Sequence, residues 1–175
     1  MEVKIIMKRI YQPFLLIFCA CFFSIEINAQ PNAALAVPGD QRVAKALKET
    51  KTEYQMSSKE GIYTINFGTK GKRSQEVHIT SSTDNINGVE MRLIFSFAVI
   101  ADKPPSQQVA NLLLEQNMET AGVWAVHKLS NGKYRIVNQL FIPADLNGEK
   151  LEEALSRVVH TADEMEEQLT KKDVN

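Results

Sequence analysis

Cysteine is scarce in this chain, and both cysteines lie near its N-terminus. Cys19 and Cys21 fall within an apolar run, so the sequence beyond that run has no thiol. That part can form no disulfide, no thiolate metal site and no cysteine nucleophile. The chain also lacks the G-x-G-x-x-G, P-loop, H-E-x-x-H and G-x-S-x-G motifs. These absences remove every positive reason to predict an enzyme, a bound cofactor or a metal site.

A marked excess of one charge is absent as well. Residues 30–175 carry 17 basic and 19 acidic side chains, which gives a net charge of −2. Proteins that bind nucleic acid or anionic lipid through electrostatics usually carry a strongly basic surface. The sequence therefore predicts no nucleic-acid partner.

The first 29 residues have the pattern of a secretory signal peptide. Three basic residues precede an apolar run from Ile10 to Phe23, and the small residue Ala29 follows. We predict cleavage after Ala29 and an exported protein, either periplasmic or secreted. Two alternatives stay open. An uncleaved membrane anchor would need about 20 apolar residues, and this run contains Pro13. The second alternative is lipoprotein processing, with a lipid attached to Cys21.

The remainder reads as one domain that follows a short linker. Residues 30–39 are rich in alanine and proline and are predicted to form the linker, and residues 40–172 form a single domain. About 146 residues remain after cleavage. A chain of that length can bury about two-thirds of its surface without disulfides.

Hydrophobic periodicity predicts an α+β fold with an antiparallel five-stranded sheet and three helices, in the order α-β-β-β-α-β-β-α. The helices are expected mainly on one sheet face, and no span crossing a membrane is predicted in the mature chain. The longest strand, Val89–Ile100, is apolar on both sides at its far end, which indicates a central position in the sheet. Residues 81–88 are predicted to form a turn, because they are rich in Asn, Asp and Ser.

The last two strands are predicted to form a hairpin around Asn131-Gly132. This dipeptide favours a two-residue type I′ turn, which would fix the register of the strands. In that register four apolar residues share the side opposite the core; they are Trp124, Val126, Val137 and Phe141. We interpret them as a binding strip for a partner chain or a second copy. The alternative is that a helix covers them.

The three histidines give only weak signals of chemistry. The same register places His127 on the core side of the hairpin, where a histidine is usually a core residue bonded to a neighbour. The functional alternative is a small-ligand site or an enzyme with a general base at His127. His78 is predicted to be solvated on the polar side of its strand. His160 and Glu164 have the spacing of a metal pair, but they lie on a charged helix face, so no metal site is predicted.

Several local patterns resemble those of the YbjN-like and type III secretion chaperone-like proteins. The patterns are Gly61-Ile62-Tyr63, the helical segment 112–117, the hairpin aromatics Trp124 and Tyr134, and Ala162-Asp163-Glu164-Met165-Glu166. The resemblance covers roughly residues 40–170. It implies a compact α+β domain, often dimeric, that binds segments of other proteins and catalyses nothing. Secretion chaperones are cytosolic, whereas this chain has an export pattern, so only the fold and the binding of protein segments carry over.

Overall fold

The computed structural model describes residues 38–120 and 122–171, and these residues include three α-helices and six strands. The helices are α1 (Gln41–Glu49), α2 (Gln107–Gln116) and α3 (Gly148–Thr170). The strands are β1 (Gln55–Ser57), β2 (Ile62–Gly68), β3 (Ser74–Ile86), β4 (Val89–Ala101), β5 (Val123–Lys128) and β6 (Tyr134–Pro143). The predicted signal peptide, Cys21 and most of the predicted linker lie outside the described residues.

The strands form one antiparallel sheet in the order β1-β2-β3-β4-β6-β5. The predicted α+β class and the three helices are confirmed, but the number of strands is wrong, because the sheet has six and not five. The additional strand is β1, which is too short to show an alternating pattern. The predicted central position of β4 is confirmed, since β4 lies between β3 and β6.

All three helices pack against the same sheet face. Their N-caps are Asp40, Ser106 and Asn147, whose side chains accept hydrogen bonds from backbone N–H groups of the first turn. These caps agree with the local sequence, because short polar side chains satisfy the free N–H groups of a helix start. No helix among the described residues combines the length and the apolar character needed to cross a bilayer.

The core beneath the helices consists of two hydrophobic clusters. The larger joins α1, β2, β3 and the first half of α3, and the smaller contains Leu113 of α2, Trp124 of β5 and Met165 of α3. Polar side chains lie between them. Along β4, Ser96 separates the two clusters, and its register partner on β6 is Asn138. Both side chains are buried, so a polar row crosses the core.

The hairpin joining β5 and β6 has a different turn from the predicted one. Lys128 pairs with Tyr134, and the Leu129 N–H donates to the Lys133 carbonyl at 2.8 Å. Within this turn, only Gly132 has a positive φ, of 84°. The loop therefore has three residues, a type I turn followed by a left-handed glycine. Relative to the predicted register, this shift by one residue turns every β5 side chain to the other face of the sheet.

The predicted type I′ geometry occurs at the other Asn-Gly pair of the chain. Asn87 has φ 53° and Gly88 has φ 84°, and the flanking Ile86 and Val89 are register partners. The prediction of a turn over residues 81–88 is wrong except at these two residues. Strand β3 continues to Ile86 because this stretch pairs with the start of β4.

Two irregularities in the sheet decide which side chains face the helices. Near the end of β4, Phe97 and Val99 pair with the adjacent residues Val137 and Ile136, so β4 contains one extra residue. Such a bulge locally reverses the alternation of side chains. Val99 consequently packs in the smaller core cluster, whereas Phe97 pairs with Val137 on the opposite face.

The second irregularity lies in β3 between Ile79 and Thr83, and a buried arginine fills it. Arg92 donates hydrogen bonds to the carbonyls of Thr80 and Ser81. Its guanidinium also pairs with Asp40 at 2.6 Å, and the side chain is only 1% exposed. Asp40 is the N-cap of α1, so this ion pair ties the start of the first helix to the sheet.

Candidate functional site

The four residues predicted to form a binding strip do not lie on one side of the sheet. Trp124 and Val126 are on the face that carries the helices, and Val137 and Phe141 are on the other face. Trp124 is 7% exposed, and its Nε1 donates to Oε1 of Gln116 in α2 at 2.9 Å. The expectation of a shared side is therefore wrong, and the reason is the one-residue shift in the hairpin register.

The opposite face of the sheet, which we call the open face, has no described helix packed on it. The helix residues of both core clusters contact only the other face. The centre of the open face consists of side chains from β3, β4 and β6; they are His78, Leu93, Phe95, Phe97, Arg135, Val137, Gln139 and Phe141. Phe141 is 40% exposed. An apolar sheet surface of this kind is typical of a binding site.

Three rings form an aromatic cluster at the centre of the open face. The ring centroids of Phe95 and Phe97 are 5.2 Å apart, and the His78 ring lies 4.9 Å from each of them. His78 is the register partner of Phe95, which explains this stacking. The prediction that His78 is solvated is therefore wrong. Its Nδ1 lies 3.0 Å from Oγ1 of Thr64, while its buried Nε2 has no hydrogen-bond partner in the structure.

Arg135 lies beside this cluster with its guanidinium over the Phe97 ring, 4.2 Å from the centroid. Its Nε is buried and forms no hydrogen bond. Burial also lowers the pKa of Arg135 from its ordinary value. The described residues include four other arginines, and each forms a salt bridge with at least one carboxylate; they are Arg42, Arg73, Arg92 and Arg157. Arg135 has no such partner among the described residues.

His127 lies on the open face as well, at the sheet edge next to Arg135. Its side chain is exposed, so its predicted place in the core is wrong. The cause is again the hairpin register, which exchanges the faces of β5. Within the described parts of the chain, no group of three or more His, Cys, Asp and Glu side chains is arranged to hold a metal ion.

Comparison with known proteins gives no independent guide to this site, because no protein-family model and no curated protein matches the chain. The site is therefore interpreted from its own geometry. It combines an apolar and aromatic surface with the guanidinium of Arg135, to which no described residue supplies a carboxylate. Chemically, such a surface can bury apolar side chains and hold a carboxylate, because a guanidinium matches a carboxylate with two parallel hydrogen bonds.

The buried state of His78 predicts a pH-dependent stability. Burial, together with the nearby charge of Arg135, lowers the pKa of His78 to about 4. An unfolded chain takes up this proton near pH 6.5. The contribution of neutral His78 to the free energy of unfolding is therefore fully present above about pH 6.5. It is lost as the pH falls from 6.5 towards 4, because the unfolded state binds the proton first. We expect a loss of about 2–3 kcal/mol over this range.

Urea unfolding of the wild type and of His78→Gln at pH 7 and pH 4.5 measures this effect. The variant should lose clearly less free energy of unfolding between the two pH values than the wild type does. His160→Gln, on the exposed face of α3, is the matched control and should behave as the wild type. Equal pH dependence in His78→Gln and the wild type would show that His78 does not produce it.

Proposed function

We propose that this protein is an exported, non-catalytic domain that binds a segment of another protein on its open face. The observation that carries the proposal is the aromatic cluster of His78, Phe95 and Phe97 on a sheet face that no described helix covers. A monomeric domain gains little stability from apolar side chains on an uncovered face, so their presence there favours a role in binding. Membership of the YbjN-like or secretion chaperone-like proteins is part of this proposal.

The location of the exposed apolar residues also supports the proposal. Phe141 lies beside Leu93, its register partner, and extends the aromatic surface towards the far end of β6. Val123 and Ile100 are exposed on the same face, by 47% and 56%. These residues surround the central cluster with apolar area that a bound segment would bury. A small-ligand site at His127 has less support, since this side chain is exposed at the sheet edge.

Selection from a library of displayed random peptides tests the proposal. Peptides selected on the wild-type protein should lose tenfold or more in affinity for Phe141→Ser, because a buried aromatic contact contributes about 1.5–3 kcal/mol. Leu114→Ser is the matched control, since Leu114 is 67% exposed on α2, which packs on the other face. Its affinities should equal those of the wild type.

Two results would contradict the proposal. One is that no peptide is enriched on the wild-type protein, and the other is that the enriched peptides bind Phe141→Ser as tightly as the wild type. Light scattering, which measures the oligomeric state, tests whether the bound partner is a second copy of the chain. A dimer that Phe141→Ser converts to monomer would show that the open face binds another copy of this protein.

A further inference from the structure

The unpaired state of Arg135 indicates what kind of segment the open face binds. A guanidinium held over an aromatic ring is partly removed from water and keeps its positive charge. Arg135 has this arrangement over Phe97, at 4.2 Å, yet its Nε has no acceptor. A buried donor without an acceptor is energetically unfavourable. A ligand that supplies the acceptor would remove this penalty.

The charges around Arg135 favour an acidic ligand. Its register partners on the two neighbouring strands are His127 and Ile100, neither of which is a carboxylate. Lys133 lies near the same hairpin tip and pairs with the exposed Asp102 at 3.4 Å. Glu76 lies on β3, where its carboxylate is 3.9 Å from Nε2 of His78. Neither carboxylate forms a salt bridge with Arg135, so its positive charge has no counter-ion among the described residues.

We propose that the segment bound on the open face is extended and carries an Asp or Glu side chain that pairs with Arg135. This inference rests on the proposed function. Extended segments direct alternate side chains to one side. Residues two positions before and after the acidic residue therefore face the sheet too, and apolar side chains there contact the apolar surface around Phe95. The recognised pattern is an acidic residue with apolar residues at the second position on each side.

The test compares displayed random peptides selected separately on wild type, Arg135→Gln and Arg157→Gln. Arg157 is the matched control, because it pairs with Glu153 on the exposed side of α3. Wild type and Arg157→Gln should enrich an acidic residue with apolar residues two positions away, and Arg135→Gln should not. Thermal unfolding of each variant confirms that it is folded, and Arg135→Lys, which keeps the charge, provides a second variant at the same position.

Synthetic versions of the enriched peptides complete the test. Replacing their acidic residue by its amide should weaken binding to the wild type by tenfold or more, and binding to Arg135→Gln by less than twofold. Enrichment without an acidic preference, or the same preference on Arg135→Gln, would overturn this inference and leave the proposed function intact. Absence of any enriched peptide, or equal binding to Phe141→Ser, would overturn both.

Discussion

Replacing Asp40 with alanine is expected to lower the free energy of unfolding by about 3–5 kcal/mol. The substitution leaves the guanidinium of Arg92 buried beneath α1 without its carboxylate, which lies 2.6 Å away in the wild type. It also removes the N-cap of α1, a loss of about 1 kcal/mol in typical helices. Both losses arise at one residue, so urea unfolding should show a large shift of the midpoint. The slope should be unchanged, because it depends on the surface exposed on unfolding.

Glu90→Gln is the control for this prediction. It removes the exposed ion pair between Glu90 and Arg42 and leaves the pair of Asp40 with Arg92 in place. Exposed pairs contribute about 0–1 kcal/mol, so the control should unfold almost as the wild type does. If the two variants lose equal free energy of unfolding, the charge of Asp40 does not stabilise the buried Arg92.

Hydrogen bonds from Arg42 and Arg92 hold the pKa of Asp40 well below its usual range. The stabilisation is therefore present above about pH 4 and is lost as the pH falls below that value.

Arg73→Met is expected to have an effect of similar size, about 3–5 kcal/mol. Arg73 follows the loop after β2, and its guanidinium contacts Asp163 at 2.8 Å and Glu166 at 3.2 Å. Both carboxylates belong to α3, with side chains 5% and 0% exposed. Methionine fills a similar volume but supplies no positive charge near the two buried carboxylates. Thermal and urea unfolding measure the loss.

Arg157→Met is the matched control, because its partner Glu153 is exposed and lies one turn away on the same helix. Such pairs contribute about 0.3–0.5 kcal/mol, so its stability should stay close to that of the wild type. A loss in Arg73→Met no larger than in this control would show that the contact between the β2–β3 loop and α3 contributes nothing measurable.

The helices were predictable because their signals are local. The caps at Asp40 and Ser106 follow directly from residue type, and the apolar stripe from Leu151 to Leu169 repeats at helical spacing. The central position of β4 was also predictable, since a strand with apolar residues on both sides has neighbours on both edges and cover on at least one face. These features depend on a few adjacent residues and need no knowledge of distant contacts.

The strand registers were less predictable, because one dipeptide admits two turns. Asn87-Gly88 adopts the type I′ turn, whereas at Asn131-Gly132 only the glycine has a positive φ. Nothing in the dipeptides themselves distinguishes the two. In a hairpin, a change of turn type moves each side chain of one strand to the other face of the sheet. The turn type therefore decided whether Trp124 faces α2 or the open face.

The candidate site was missed for the same kind of reason. Arg135 appeared as one of several charged residues near a turn, and His78 as a polar residue on an alternating strand. Their association with Phe95 and Phe97 depends on the pairing of β3, β4 and β6. The far end of β4 is apolar on both faces, so the sequence does not show which face the helices cover there. The bulge after Phe97 makes the assignment harder still, since it reverses the alternation part-way along the strand.

The polar row through the core has a consequence for local motion. Ser96 and Asn138 interrupt apolar contact between the two clusters, and neither polar atom of the Asn138 side chain has a hydrogen-bond partner in the structure. The end of the domain that contains α2 and β5 is packed around the smaller cluster alone. Its backbone amides can therefore exchange with solvent through a partial opening that leaves the larger cluster folded, so the two ends of the domain need not behave as one cooperative unit.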